Sequence, residues 1–313
     1  MTDRQNKTHW SRLPEKGSAL GITLLIATYR LLGDRAARLL LRPIVAWFLL
    51  TGGDARRASI NYLTRLWRYS GGTTPPPGWC SAYRHMLAFA EAGLDKLVAG
   101  FENTNPDTLD FPNRTEFHQL LQEGRGAILI GAHIGNQHML RALAINHNIA
   151  RINAIVYTDH AQRFAGTLTT ASASYGVNLI QIGSFGPETG IALQEIIDRG
   201  EALAIVGDRT PPAGNDRVVQ VDFLGEPAPL PQGPFILASL FDCPVCLFFC
   251  VKDGSDYHVH FEHFADRITL PRGKREAAIQ EYAQRYARRL EAICLQAPLQ
   301  WFNFFDFWQN AKQ

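Results

Sequence analysis

Apolar positions along this chain change their spacing once. Up to about residue 99 they recur every three or four residues, the period of helices with one buried face. From residue 126 onward, short apolar or alternating runs separate the helical stretches, the signature of strands feeding helices. After a polar stretch over 1–18, the spacing predicts two helices within 19–50, broken near Gly33-Asp34 and strained at Pro43. Helical spacing resumes over 54–69, and Gly71-Gly-Thr-Thr-Pro-Pro-Pro-Gly78 makes a rigid turn. Further helices are predicted over 81–99 and 116–123.

The later part alternates. Strands are predicted over 127–130, 153–157, 178–182, 202–207, 218–223, 245–251 and 257–261. Helices are predicted over 139–145, 161–174, 188–199, 234–241 and 275–295. Such alternation implies an α/β fold, a mainly parallel central sheet flanked by helices. Residues 1–70 then read as a basic, apolar helical region and 71–313 as the α/β domain.

Charge sharpens this division. Residues 1–68 carry twelve Lys/Arg against four Asp/Glu, a net of +8, in a chain whose total is only +2. Arg35, Arg38 and Arg42 recur beside Leu39, Leu40, Ile44, Trp47 and Phe48, the pattern of a helix lying in an anionic membrane interface. An arm this apolar does not suit nucleic acid, whose partners present polar contact residues. Charges interrupt every apolar run before the ~20 residues that a spanning helix needs. No cleavable leader is visible at the start. Five cysteines do not suggest a disulfide framework, and Cys243-Pro-Val-Cys246 lacks the second pair a zinc ribbon requires. These thiols read as buried and inert, in a reducing compartment.

Candidate chemistry gathers at two strand ends. Gly126-Ala-Ile-Leu-Ile-Gly-Ala-His133 places a histidine on a strand-to-helix turn, with Gly135 and Asn136 following and Asn136 a plausible helix cap. Ligands bind at such carboxyl ends in open α/β sheets. A second run, Ala204-Ile-Val-Gly-Asp208-Arg209-Thr210, ends the same way, so Asp208 and Arg209 can face a common crevice with His133. The proline-rich stretch 223–235 is either a structural turn or part of a pocket wall. The aromatic run Trp301-Phe-Asn-Phe-Phe-Asp-Phe-Trp308 either buries much area or anchors at an interface, and Asn303 and Asp306 within it need partners if buried. His258, His260 and Glu262 alternate along a strand and read as a solvated face rather than a metal site. No G-x-S-x-G, P-loop or G-x-G-x-x-G motif is present.

These blocks together resemble the late (secondary) lipid A acyltransferases of the lysophospholipid acyltransferase superfamily. The resemblance runs from the Arg12-Leu-Pro-Glu-Lys-Gly-Ser18 lead-in through the Gly131-Ala-His133 and Gly207-Asp208-Arg209-Thr210 blocks and Phe223-Leu-Gly225 to the aromatic ending. It implies a glycerolipid acyltransferase-like fold with membrane-associating N-terminal helices. It also implies transfer of a fatty acyl chain from an acyl carrier protein or coenzyme A thioester to a membrane lipid. The setting would be the cytoplasmic face of a bacterial inner membrane, with no metal or resident cofactor.

By the same resemblance His133 is the general base. His138, Asp208 and Arg209 join it as candidate catalytic residues, and Gly135, Asn136, Asp159 and Arg163 are the candidate substrate-binding ones. Free backbone N–H groups near Gly135 and Asn136, or Arg209, would hold the oxyanion. The family motif is H-x4-D/E, but its acidic position is His138 here. A neutral imidazole can fix the tautomer of His133 but supplies no negative charge. Three outcomes stay open. Asp159 or Asp208 takes over the carboxylate's role, the enzyme is slow, or the chain is a catalytically impaired lipid-binding homologue.

Overall fold

A computed structural model describes residues 19–99, 109–136, 152–157, 177–182, 186–209, 217–254 and 256–308. The helices expected over 139–145 and 161–174 lie outside the described residues. The strands are β1 (Leu109–Asp110), β2 (Ala127–Gly131), β3 (Ile152–Tyr157), β4 (Val177–Ile182), β5 (Ala202–Val206), β6 (Val218–Phe223), β7 (Glu226–Pro231), β8 (Val245–Asp253) and β9 (Asp256–Ala265). The helices are α1 (Ala19–Leu32), α2 (Asp34–Thr51), α3 (Gly53–Tyr69), α4 (Trp79–Ala99), α5 (Arg114–Gln122), α6 (Pro187–Asp198), α7 (Gly233–Ala238) and α8 (Arg275–Gln296).

The central sheet runs β1-β9-β8-β2-β5-β3-β4. Strands β8, β2, β5, β3 and β4 are mutually parallel, and the reversed β9 and its partner β1 form one edge. The architecture is therefore α/β with a mainly parallel sheet, as the alternation predicts. Period-two alternation divides the sheet's side chains between two cores. Ile128, Ile130, Leu203, Ile205, Leu247 and Phe249 face one, and Leu129, Ala202, Cys246 and Phe248 face the other. Helix α8 lays Ile279, Ala283, Tyr286, Ala287, Leu290, Ile293 and Cys294 on the first core. That three-and-four spacing is what makes it one amphipathic helix rather than a loop. The cysteines of the CPVC stretch are buried, and burial pushes both thiols up to about 12, which leaves them unreactive.

The expected boundary at residue 70 falls inside one packed unit. Tyr62, Leu63 and Leu66 of α3 lie in the main core, and Arg65 pairs with Glu226 of β7 at 2.8 Å. Helices α1, α2 and α4 form a smaller cluster around Leu25, Ala37, Leu41 and Leu94. Asp95 of α4 ties that cluster to the sheet edge, accepting from Arg38 at 2.5 Å, Lys252 Nζ at 2.6 Å and the Tyr257 hydroxyl. Arg38 thus leaves the expected basic stripe, while Arg35, Leu39, Arg42, Trp47 and Leu50 remain exposed. No single described helix is long and apolar enough to cross a membrane, and α2 and α3 meet at a 95° bend.

Strand 218–223 does not join the central sheet as expected. It pairs with the proline-rich segment instead, in an antiparallel hairpin whose register runs from Val218↔Pro231 to Phe223↔Glu226. The turn residues Leu224 and Gly225 both have positive φ, 54° and 79°, as a two-residue type I′ turn demands. Leucine is strained there, but its side chain is buried and its N–H donates to Glu291 Oε1 at 2.6 Å. Pro227, Pro229 and Pro231 alternate along β7, so their missing N–H groups fall on the edge facing away from β6. Gln284 of α8 closes the other edge, bonding both the N–H and the carbonyl of Asp222.

Candidate active site

Register brings the site together. Strands β2 and β5 are neighbours with Gly131 opposite Val206. His133 lies two residues beyond the first and Asp208 two beyond the second, so the two side chains emerge side by side at the carboxyl edge. The His133 imidazole approaches Asp208 Oδ1 through Nδ1 at 2.7 Å. The other carboxylate oxygen, Oδ2, accepts the His133 backbone N–H at 2.9 Å, Trp301 Nε1–H at 3.0 Å and Asn303 Nδ2–H at 3.0 Å.

Asp208 is fully buried. Burial raises its pKa, but the charge and hydrogen bonds of His133 and the Arg209 cation outweigh this and hold it at about 2. For His133, burial and then Arg209 lower the pKa below the usual 6.5, against the opposing pull of Asp208. The imidazole is therefore neutral near pH 7, with its proton on Nδ1 toward the carboxylate. Among the described residues no hydrogen-bond partner reaches its Nε2, and the side chain is 27% exposed. A neutral imidazole held by a buried, ionised carboxylate has the arrangement that general-base chemistry requires.

Arg209 is fastened in place. Its Nε–H donates to Asn303 Oδ1 and its Nη2–H to the Phe302 carbonyl, both at 2.7 Å. Burial pulls its pKa down to about 10, still far above neutrality.

The segment after β2 differs from expectation. Residues 132–136 do not turn directly into a helix with free N–H groups. Ile134 bridges Trp301 and Gly135 bridges Cys250, so the backbone threads between the aromatic segment and β8. The Gly135 N–H donates to the Gln300 carbonyl and the Asn136 N–H to the Cys250 carbonyl, both at 2.8 Å. Neither amide is available as an oxyanion donor in this arrangement. Asn136 turns its side-chain amide to the Tyr257 hydroxyl at 3.4 Å. His138, Asp159, Arg163 and Thr210 lie outside the described residues. Among the described residues the carboxylate beside His133 is Asp208, one of the two alternatives the sequence leaves open. Among the described residues no group of acidic, histidine and cysteine side chains could hold a metal ion. On β9, His258 pairs with Asp110 at 2.6 Å and Glu262 with Arg289 at 2.9 Å.

One participant has no sequence signal beyond a lone histidine in a helix. His85 of α4 is fully buried, with Nε2 2.9 Å from the Trp301 carbonyl and Nδ1 2.9 Å from Ser59 Oγ. A carbonyl only accepts, so Nε2 carries the proton and Nδ1 accepts from the serine hydroxyl. Burial drives the His85 pKa down to about 4 from 6.5, so the unfolded chain binds the proton more readily. Stability from this group is complete above pH 6.5 and is lost as pH falls toward 4. The urea midpoint is expected to fall over that window, and less steeply in His85→Gln. Equal slopes in the two proteins would count against this account.

Residues 100–310 of the chain match the family model for bacterial lipid A biosynthesis acyltransferase. No curated protein matches the chain.

Proposed function

The chain belongs to the family of bacterial lipid A biosynthesis acyltransferases and is an acyltransferase, and we propose that His133 is its general base, with Asp208 as the carboxylate partner. The observation that carries this reading is the 2.7 Å contact between His133 Nδ1 and the buried Asp208 carboxylate. The donor is an acyl thioester on acyl carrier protein or coenzyme A, and the acceptor is a hydroxyl or amine of a membrane lipid. Nε2 takes the acceptor's proton as its oxygen or nitrogen bonds to the thioester carbonyl. The tetrahedral centre then collapses, the carbon–sulfur bond breaks, and the imidazolium returns its proton to the leaving thiolate. Asp208 stabilises the imidazolium in between. Arg209 keeps the resting imidazole neutral and adds positive potential near the developing oxyanion.

Membrane association at the cytoplasmic face of the inner membrane belongs to the same reading. It is supported by the exposed Leu31, Leu32, Leu39, Trp47 and Leu50 on α1 and α2, interleaved with exposed Arg35 and Arg42.

The test is acyl transfer by the purified protein, using a panel of labelled acyl carrier proteins and acyl-CoA with membrane lipid extract. Native protein is expected to turn over and His133→Ala to be inactive. Because Asp208 already occupies the carboxylate's place, His138→Glu should change the rate by less than about tenfold, far below the four orders that a triad carboxylate is worth. An inert native protein revived by His138→Glu would overturn the assignment of Asp208.

A further inference from the structure

We propose that Trp301 and Asn303 are positioning residues for the His133–Asp208 dyad, an inference that rests on the acyl-transfer role of that dyad. A carboxylate has two equivalent oxygens and turns about its Cβ–Cγ bond unless something distinguishes them. Here three N–H groups converge on Oδ2, two of them from Trp301 and Asn303. Oδ1 is thereby reserved for the imidazole. A charge-assisted array of this kind is short and directional, and it fixes the plane of the carboxylate.

Asn303 does more than donate. Its Oδ1 accepts from Arg209 while its Nδ2 donates to Asp208, so its amide stands between a buried cation and a buried anion. Adjacent in sequence, Asp208 and Arg209 would otherwise satisfy each other directly. The carboxylate's charge would then be spent on the guanidinium instead of the imidazole. An amide serves both neighbours, because one end accepts and the other donates.

The segment that carries both residues is anchored on every side. The Phe302 N–H donates to the His133 carbonyl at 2.7 Å, and the Gly135 N–H to the Gln300 carbonyl at 2.8 Å. The Gln300 side chain bonds both backbone groups of Lys252, and His85 holds the Trp301 carbonyl. Trp301 is fully buried against Tyr62, Phe223 and Phe307. Among the described residues, the charged or titratable groups that act on the dyad are Arg209, Tyr286 and Cys294, and burial keeps the last two neutral.

The experiment is a pH titration of the His133 imidazole by NMR in full-length, 15N-histidine-labelled protein, assigned with His133→Ala. Steady-state kinetics and melting curves accompany it. Trp301→Phe removes one donor from Oδ2, leaves the carboxylate more basic, and is expected to raise the His133 pKa. Asn303→Leu also removes a donor from Oδ2, but it releases the full charge of Arg209 onto Asp208, which outweighs one neutral N–H, and is expected to lower the His133 pKa. In both, kcat should fall about ten- to a hundredfold, the worth of one hydrogen bond to a charged group, with KM for the acyl thioester little changed. A residue that merely supports the fold would lower the melting temperature and leave the His133 pKa unmoved. An unmoved pKa in the two folded variants, or shifts of the same sign, would overturn the proposal. If Trp301→Phe does not fold, Asn303→Leu alone decides by the direction of its shift. The titration needs no turnover. Activity surviving in His133→Ala would therefore end the general-base reading separately, with the measured shifts still judging the clamp.

Discussion

Asp208→Asn is expected to lower acyl transfer by about four orders of magnitude with little change in substrate binding, the size of loss seen when a triad carboxylate becomes an amide. The reason lies in the two oxygens. Oδ2 accepts three N–H donors and Oδ1 faces the imidazole. An asparagine must present its NH2 to one side or the other. Turned toward Oδ2's donors, it sets N–H against N–H in a buried pocket, a cost of about 1–3 kcal/mol for each unsatisfied group. Turned toward His133, it donates to Nδ1 and drives the imidazole proton to Nε2, where the base must be unprotonated. The second arrangement is preferred, and it leaves a folded protein with the wrong tautomer. Single-turnover acyl transfer, with thioester binding measured in parallel, checks this. A loss of less than about tenfold would mean that Asp208 does not govern the tautomer, against the four orders expected.

The largest effect on stability is expected at Gly135. Its φ is +59°, and a Cβ there would overlap the Cys250 carbonyl oxygen and come within 2.9 Å of the Val251 Cα. Both obstacles are backbone atoms of β8, which cannot swing aside. Gly135→Ala must therefore pull the 133–136 segment off β8. That breaks the Gly135 and Asn136 hydrogen bonds to Gln300 and Cys250 and displaces His133. The cost combines a left-handed backbone with overpacking and is expected to exceed about 4 kcal/mol, the range reserved for severe lesions. Urea unfolding, or failure to accumulate as folded protein, measures it. Gly33 is the control: its φ is +83° but nothing lies within 4 Å of its would-be Cβ, so Gly33→Ala should cost far less.

Much of this arrangement was legible in the chain itself. The glycine-bounded apolar runs before His133 and Asp208 announced two strand ends, and helical spacing located α8 closely. What the runs did not carry is adjacency. Whether β2 and β5 are neighbours depends on sheet order, which is a property of long-range packing. Only their register makes His133 and Asp208 a pair. The same limit hid the fate of 218–223. Alternation correctly marks a strand, but the prolines of its partner read as a turn, because proline is costly in a ladder except on an edge. Asn303 stands out in the sequence as a polar group needing partners inside an aromatic run, and its partners are Asp208 and Arg209. His85 gave no warning. A single buried histidine in a helix has the same sequence appearance whether or not it holds a distant carbonyl.

The Trp301–Asn303 clamp also has a consequence for the order of events during synthesis. Asn303 reaches Asp208 across 95 residues of sequence, and His85 reaches Trp301 across 216. A ribosome adding about 5–20 residues per second makes His133 and Asp208 several seconds before the segment that fixes them. Strands β2 and β5 can pair in that interval, yet the carboxylate they expose still lacks two of its N–H donors. The pair formed by His133 and Asp208 is therefore complete only once the aromatic segment has been made and has folded back onto it, so the histidine and its carboxylate can meet before the two carboxylate oxygens are distinguished.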